Sequence, residues 1–349
     1  MRTPFHRVLI GVLAVVLPRF PVTAAPADPG DDNIRGMVIS CQTWGWEWGT
    51  DAMVEAMQEI KDLGANWVQI HPYGSIDREG NVSLGRLDPT GPVPDWLARP
   101  IAEAHRLGLK ICITPHLAPW RAGWNWRGDI DFDTPAKWAR FFHSYRAWIT
   151  TLARMTREAD GFAVGSELDR TVWGHETEWR DIISAVRAET PAALTYAANW
   201  PDYQRIPFWD AVDVISLSAY FSLTDHDRHP TAAELDRAWT RILADARAYA
   251  QQHNRRVVFM EIGYDRSLKA AREPWADGAR GGDPDSEALQ TLCLDRALAA
   301  VAEPDAIIGT FIWKWFPGPV RRETFLASTP AMREVIARHW KDVAHAPGK

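Results

Sequence analysis

Two glutamates, Glu167 and Glu261, each stand at the end of a short apolar run: GFAVGSELDRT over 161–171 and RRVVFMEIG over 255–263. Side chains at the C-terminal end of a buried parallel strand point into the mouth of an α/β barrel, where such folds place catalytic groups. The two acids are far apart in sequence, so only the fold can bring them together. Two carboxylates facing across a cleft suit glycosidic cleavage, one ionised as nucleophile and one protonated as general acid. Their environments must push the two pKa values apart, the acid's being raised by partial burial and by its negative partner. A separation of roughly 5 Å gives retention, and about 6.5–9.5 Å leaves room for an inverting water. A strand-end Glu can also serve a structural ion pair, and Arg170 is the obvious partner for Glu167.

The elements that must position these acids follow in strict alternation. Strand one is expected at Gly36–Cys41, followed by a helix with Met53, Val54, Met57, Ile60 and Leu63 on its apolar face. Thr50 is the expected cap of that helix and Gly64 its end. Strands two to eight are expected at Asn66–Ile70, Lys110–His116, Phe162–Gly165, Leu194–Ala198, Asp213–Phe221, Arg255–Gly263 and Ile307–Phe316. Helical patterns separate them, except between strands five and six, where the connection is short, and Gly74–Pro92 reads as a long polar loop. Eight strand–helix units with Val- and Ile-rich strands imply a parallel sheet closed into a single (β/α)8 barrel, here spanning 35–345. Glu167 then ends strand four and Glu261 strand seven, nearly opposite one another on the same rim.

Composition sets the outer bounds. The chain has 349 residues, 46% hydrophobic and 24% charged, which suits a globular domain with a full core. A net charge of −6 gives no electrostatic case for nucleic acid or an anionic membrane as partner. Arg2, His6 and Arg7 precede the apolar run Val8–Leu17, and Val22-Thr23-Ala24 supplies small residues for cleavage, so 1–24 reads as a signal peptide and 25–34 as a linker. A secreted or periplasmic protein is expected, with no membrane association beyond the signal, and a monomer. The three cysteines read as buried thiols, with at most one internal disulfide.

Other rim positions could bind a ligand. His71 and His116 end strands two and three, and Asn199 and Trp200 flank the end of strand five. Tryptophan is over-used, 19 against 7 Tyr and 12 Phe. Many must be core, but Trp44, Trp46, Trp48, Trp120, Trp124 and Trp126 fall on rim loops, where rings can stack on the apolar faces of sugars. No GxGxxG, Walker loop or HExxH is present, so no nucleotide, metal or other cofactor is expected.

At these residues the chain resembles the large clan of retaining β-glycosidases with a (β/α)8 barrel, and within it glycoside hydrolase family 113, typified by β-mannanases. The matching pieces are LGANWVQI, GSELDRT, ANWPDY, FWDAVDVISLSAYF and MEIGY, in that order between about 35 and 320. The resemblance implies Glu167 as acid/base and Glu261 as nucleophile. Tyr220 would hydrogen-bond the nucleophile, and Trp313 would form the platform beneath the reacting sugar. Ser166 departs from the clan, which mostly has Asn there to hold the sugar 2-hydroxyl. The expected function is hydrolysis of a β-linked polysaccharide, β-1,4-mannan first, with Trp44, His71, His116, Asn199, Tyr220 and Trp313 contacting the oligosaccharide. The alternatives are a glucan or bacterial surface polysaccharide as substrate, or a barrel that binds glycan without cleaving it.

Overall fold

The computed structural model describes residues 33–276, 284–303, 305–320 and 323–344; the expected signal peptide and nearly all of the linker lie outside them. The barrel strands are β1 (Ile34–Ile39), β2 (Trp67–Ile70), β3 (Lys110–Ile113), β4 (Gly161–Ser166), β5 (Ala193–Asn199), β6 (Ile215–Ser218), β7 (Val257–Ile262) and β8 (Ile307–Trp315). Each pairs in parallel with its neighbours in sequence, and β8 closes onto β1 through Ile34 opposite Gly309. This is a (β/α)8 barrel.

Two packed layers hold it. Ile34, Val38, Trp67, Cys112, Ala197, Val258, Met260, Ile308 and Phe311 fill the barrel interior, while the alternate strand residues pack outward against the helices. Trp148, Trp179, Trp209 and Trp239 are fully buried in that outer layer, so a share of the tryptophan excess is core. Cys41 is half-buried, Cys112 and Cys293 are buried, and all three thiols are free.

Local sequence explains the helix starts. The long helix Ala232–His253 begins in a capping box in which Thr231 and Glu234 satisfy each other's backbone N–H groups. The helix Pro135–Met155 has proline in its first turn, and Thr134 accepts from the Lys137 N–H. Thr50 does hold the N-cap of Asp51–Asp62, but its side chain accepts nothing. Its hydroxyl donates instead to the Glu47 carbonyl at the end of the preceding 3-10 turn. Between β5 and β6 there are only the 3-10 turns Tyr203–Arg205 and Trp209–Ala211, as the short connection predicts. The 74–92 segment is not a plain loop. Tyr73–Ile76, Val82–Ser83 and His116–Ala118 form a small sheet on the barrel mouth, from strands too short to leave a periodic signal.

Two irregularities aim the rim. The pairing register slips between Ala163 and Ser166 on β4, and between Phe259 and Glu261 on β7. Val258 and Met260 face the interior, so simple alternation would turn Glu261 outward; the slip re-aims it. Glu167 follows β4 with φ at 50°, a left-handed backbone uncommon for a residue with a side chain. Its N–H is held by the Ala197 carbonyl at 2.8 Å. Two glycines allow the close packing that this needs. A Cβ on Gly165 would sit 2.9 Å from Trp179 and 3.0 Å from Tyr196, and one on Gly263 would lie 2.7 Å from the Trp313 carbonyl.

Candidate active site

Glu167 and Glu261 line one cavity of about 500 Å³ at the C-terminal mouth of the barrel. Its walls are aromatic: Trp126, Trp200, Tyr220, Trp275, Trp313 and Phe325, with Asn199 and Pro201. Trp200 and Trp275 stack at 5.8 Å, and Trp275 is 48% exposed, so one ring of the pair faces solvent. Trp313 ends the wall at β8, its peptide bond to Lys314 cis.

Glu261 is buried. Its Oε2 accepts a hydrogen bond from the Tyr220 hydroxyl at 2.9 Å. Its Oε1 has no hydrogen-bond partner, although His116 Nε2 lies 3.6 Å away. Burial, and then the charge of Glu167, raise the Glu261 carboxyl to about 8, while Arg127, Tyr220 and Lys314 pull it down. Glu167 is buried to a similar degree but sits among donors. Trp126 Nε1 donates to its Oε2 at 3.1 Å, and the Arg127 guanidinium lies 3.6 Å from the same oxygen. Arg170 is not its partner and pairs with Asp131 instead, at 3.2 Å. Asp169, two residues on, is buried and raised to about 7 by desolvation and by the charges of Glu167 and Asp202. Asn199 reaches its Oδ2 at 3.5 Å.

The two histidines lie under this cavity rather than in its wall. His71 and His116 are both 0% exposed, and their rings stack at 4.8 Å. Trp313 lies over both, at 5.3 and 6.1 Å. His71 Nε2 contacts the Ser40 hydroxyl at 3.0 Å. Burial and the nearby cations hold His71 near 3 and His116 well below the ordinary histidine range, so both rings are neutral. Packed under Trp313, the two neutral rings support the tryptophan, and His116 faces Glu261. The Ser166 side chain is buried without a partner.

Trp44 is elsewhere. It belongs to a second cleft on the same rim, beside Trp46, Tyr73 and Trp96. Sequence reading missed Arg127, Lys314, Phe325 and Trp275. Nothing in their spacing marks them: Arg127 opens a 3-10 turn, Trp275 and Phe325 lie in connections, Lys314 sits on β8, and each reaches the centre only through the fold. The run WNWR at 124–127 was the nearest signal for Arg127. No group of three or more His, Cys, Asp or Glu among the described residues is placed to hold a metal ion.

The arrangement supplies a carboxylate pair, a donor fixed on each member, cations nearby and flat aromatic walls. That is the equipment of acid–base and nucleophilic chemistry on a ring-shaped polar substrate.

The description of glycoside hydrolase family 113 matches residues 41–324. The chain is similar in structure to the family 113 β-mannanase of Alicyclobacillus acidocaldarius solved in complex with ManMIm, with 25% identity and a TM-score of 0.74 over 89% of this chain and 98% of that one. A family 113 β-1,4-mannanase in complex form has 20% identity and a TM-score of 0.75, over 89% and 99%. A family 5 mannosidase of Rhizomucor miehei, in complex with mannosyl-fructose, shares the fold at 11% identity and a TM-score of 0.62, over 92% and 97%. No curated protein matches the chain by sequence. The chain belongs to glycoside hydrolase family 113 and is a glycoside hydrolase.

Proposed function

We propose that this family 113 member hydrolyses a β-linked polysaccharide, β-1,4-mannan in the first instance, with retention of configuration and with Glu261 as nucleophile and Glu167 as acid/base. The observation that carries the reading is the meeting of two strand-end glutamates in one aromatic-walled cavity. In the first step Glu261 attacks the anomeric carbon while Glu167 protonates the departing oxygen. In the second, Glu167 takes a proton from water, which attacks the same carbon and frees Glu261. The Tyr220 hydroxyl fixes the orientation of the attacking carboxylate. Trp313 provides the floor under the sugar ring, its own position fixed by the two neutral histidines.

Nucleophilic attack needs Glu261 ionised, yet burial raises it in the ligand-free site. Interacting carboxyls share their titration, so the pair keeps one proton across neutral pH and loses it near the raised value. The reading requires that this proton stand on Glu167 once sugar fills the cavity, with Tyr220, Arg127 and Lys314 favouring charge on Glu261. Activity then falls above about pH 8, where the pair loses its acid form.

Glu261→Gln is expected to lower kcat by about four orders of magnitude or more on every substrate, because no glycosyl-enzyme forms. Glu167→Ala should lose about 10²–10⁴-fold on polysaccharide but much less on an aryl glycoside with a good leaving group. Azide should rescue that variant and yield a β-glycosyl azide. An inverted anomer from the wild-type enzyme, read by NMR during hydrolysis, would overturn the mechanism. Rescue at Glu261 with retained configuration would reverse the two roles.

We also propose export, on the charged start, apolar run and small residues of 1–24. N-terminal sequencing of the protein from periplasm or medium should find a start near Ala25, and an intact Met1 in the cytosol would refute it.

A further inference from the structure

Beside the glutamate cavity, the β1–β3 side of the rim carries a cleft of about 380 Å³ whose chemistry the proposed reaction does not use. Trp44 and Trp46 stand on it, 40% and 42% exposed. Two arginines line it, Arg86 and Arg121, and no acidic residue among the described ones does. The Arg86 guanidinium lies 3.7 Å from the centre of the Trp46 ring, and that of Arg121 lies 5.9 Å from the Trp44 ring. Among the described residues, these rings are their only partners, with no ion pair or side-chain hydrogen bond to either guanidinium. This contrasts with Arg180, Arg187 and Arg272, which carboxylates hold elsewhere on the surface. A guanidinium lying on a ring keeps its in-plane N–H donors for a ligand. Tyr73, Ser75 and Ser83 add hydroxyls to the same walls.

The cleft leads toward the cavity. Tyr73 forms its inner wall, with its ring 5.2 Å from His71 and 5.8 Å from His116, the two rings beneath Trp313. A glycan chain held over Trp313 and continued past Tyr73 would bring its next units over Trp44 and Trp46, between the two arginines. Two guanidiniums without a carboxylate partner, in a protein of net charge −6, are a local departure from its overall sign. Neutral hydroxyls do not need them, whereas a carboxylate matches the fork of N–H donors on each.

We propose that this cleft is a subsite for a sugar unit bearing a carboxylate, so that the enzyme prefers a β-glycan chain carrying a uronate there over the same chain without one. The proposal rests on the glycosidase reading given above. Arg86 and Arg121 clamp the carboxylate, and Trp44 and Trp46 take the apolar face of the ring.

The test is calorimetric binding of two matched probes, β-1,4-mannohexaose and β-1,4-hexamannuronate, to the full-length wild-type enzyme and to an Arg86→Gln/Arg121→Gln variant. At low salt the wild type should bind the hexamannuronate roughly tenfold more tightly, a difference of the size of one charge-assisted hydrogen bond. The preference should vanish in the double variant, with its melting temperature unchanged, and at about 1 M salt, where the screening length is about 3 Å. Equal affinity for the two probes, no binding of the hexamannuronate, or a preference that survives the double substitution would overturn the subsite. Turnover of both probes by the wild type is measured in parallel. Preference without turnover of either chain sinks the reading of a mannan-type backbone as substrate and leaves the subsite standing; turnover of mannohexaose without preference does the reverse.

Discussion

The glutamate cavity and the arginine cleft share one rim but treat charge in opposite ways. In the cavity, Glu167 and Glu261 are both buried, and burial together with the Glu167 charge pushes Glu261 far above its ordinary value. In the cleft, Arg86 and Arg121 lie on exposed tryptophans with water at hand. Burial turns a common side chain into a reagent, because desolvation and a like charge make its proton hard to remove. Exposure leaves a charge fit for holding a ligand and little more, because water and salt screen it. One region is therefore built for bond-making and the other for recognition, and substitutions in them should act on different kinetic constants.

Tyr220→Phe should separate them most. It removes the hydrogen bond to the Glu261 carboxylate, and kcat should fall roughly 10–100-fold with KM nearly unchanged. The matching change in the cleft, Trp46→Ala, should raise KM for long chains by about tenfold and leave kcat alone. Steady-state kinetics on a defined oligosaccharide reads both. A Tyr220→Phe effect confined to KM, or a Trp46→Ala effect confined to kcat, would erase the distinction.

A smaller effect concerns stability. The raised Glu261 carboxyl holds its proton more tightly folded than unfolded. Its favourable contribution is thus complete below its unfolded value of 4.5 and is lost as pH rises through about 8. Glu261→Gln removes this dependence. The variant should melt above wild type by roughly 5 °C at pH 8, with the gap closing toward pH 4.5. Equal melting curves at pH 8 would show that the folded site does not strain the carboxylate. No such pH-dependent gap is expected for Arg86→Gln, whose side chain is exposed.

Much of this was legible beforehand. The eight strands follow from Val- and Ile-rich runs alternating with helical apolar stripes, and chain order then fixes which strands are neighbours, since parallel pairing through helical crossovers leaves few topologies. Glu167 and Glu261 stood out because each acid breaks an apolar run. Tyr220 was marked by its place at the end of strand six, and its hydroxyl does meet Glu261. The small sheet formed by Tyr73–Ile76, Val82–Ser83 and His116–Ala118 was not legible, because strands of two to four residues carry no period.

What the sequence determined by itself was therefore the barrel and the pair of acids at its mouth, since both are local patterns of apolar and charged residues. Tertiary structure alone decided where those acids point and what surrounds them. The period of two would turn Glu261 away from the interior that holds Val258 and Met260, and only the slip against β6 brings it in. His71 and His116 end their strands as rim residues would, yet Trp313 arrives from the far end of the chain to cover them. Arg127 and Trp126 reach Glu167 from a loop some forty residues earlier. Arg86 and Trp46 meet across two separate connections. Each of these contacts joins segments distant in sequence, and their geometry depends on barrel closure, which no single stretch of chain encodes.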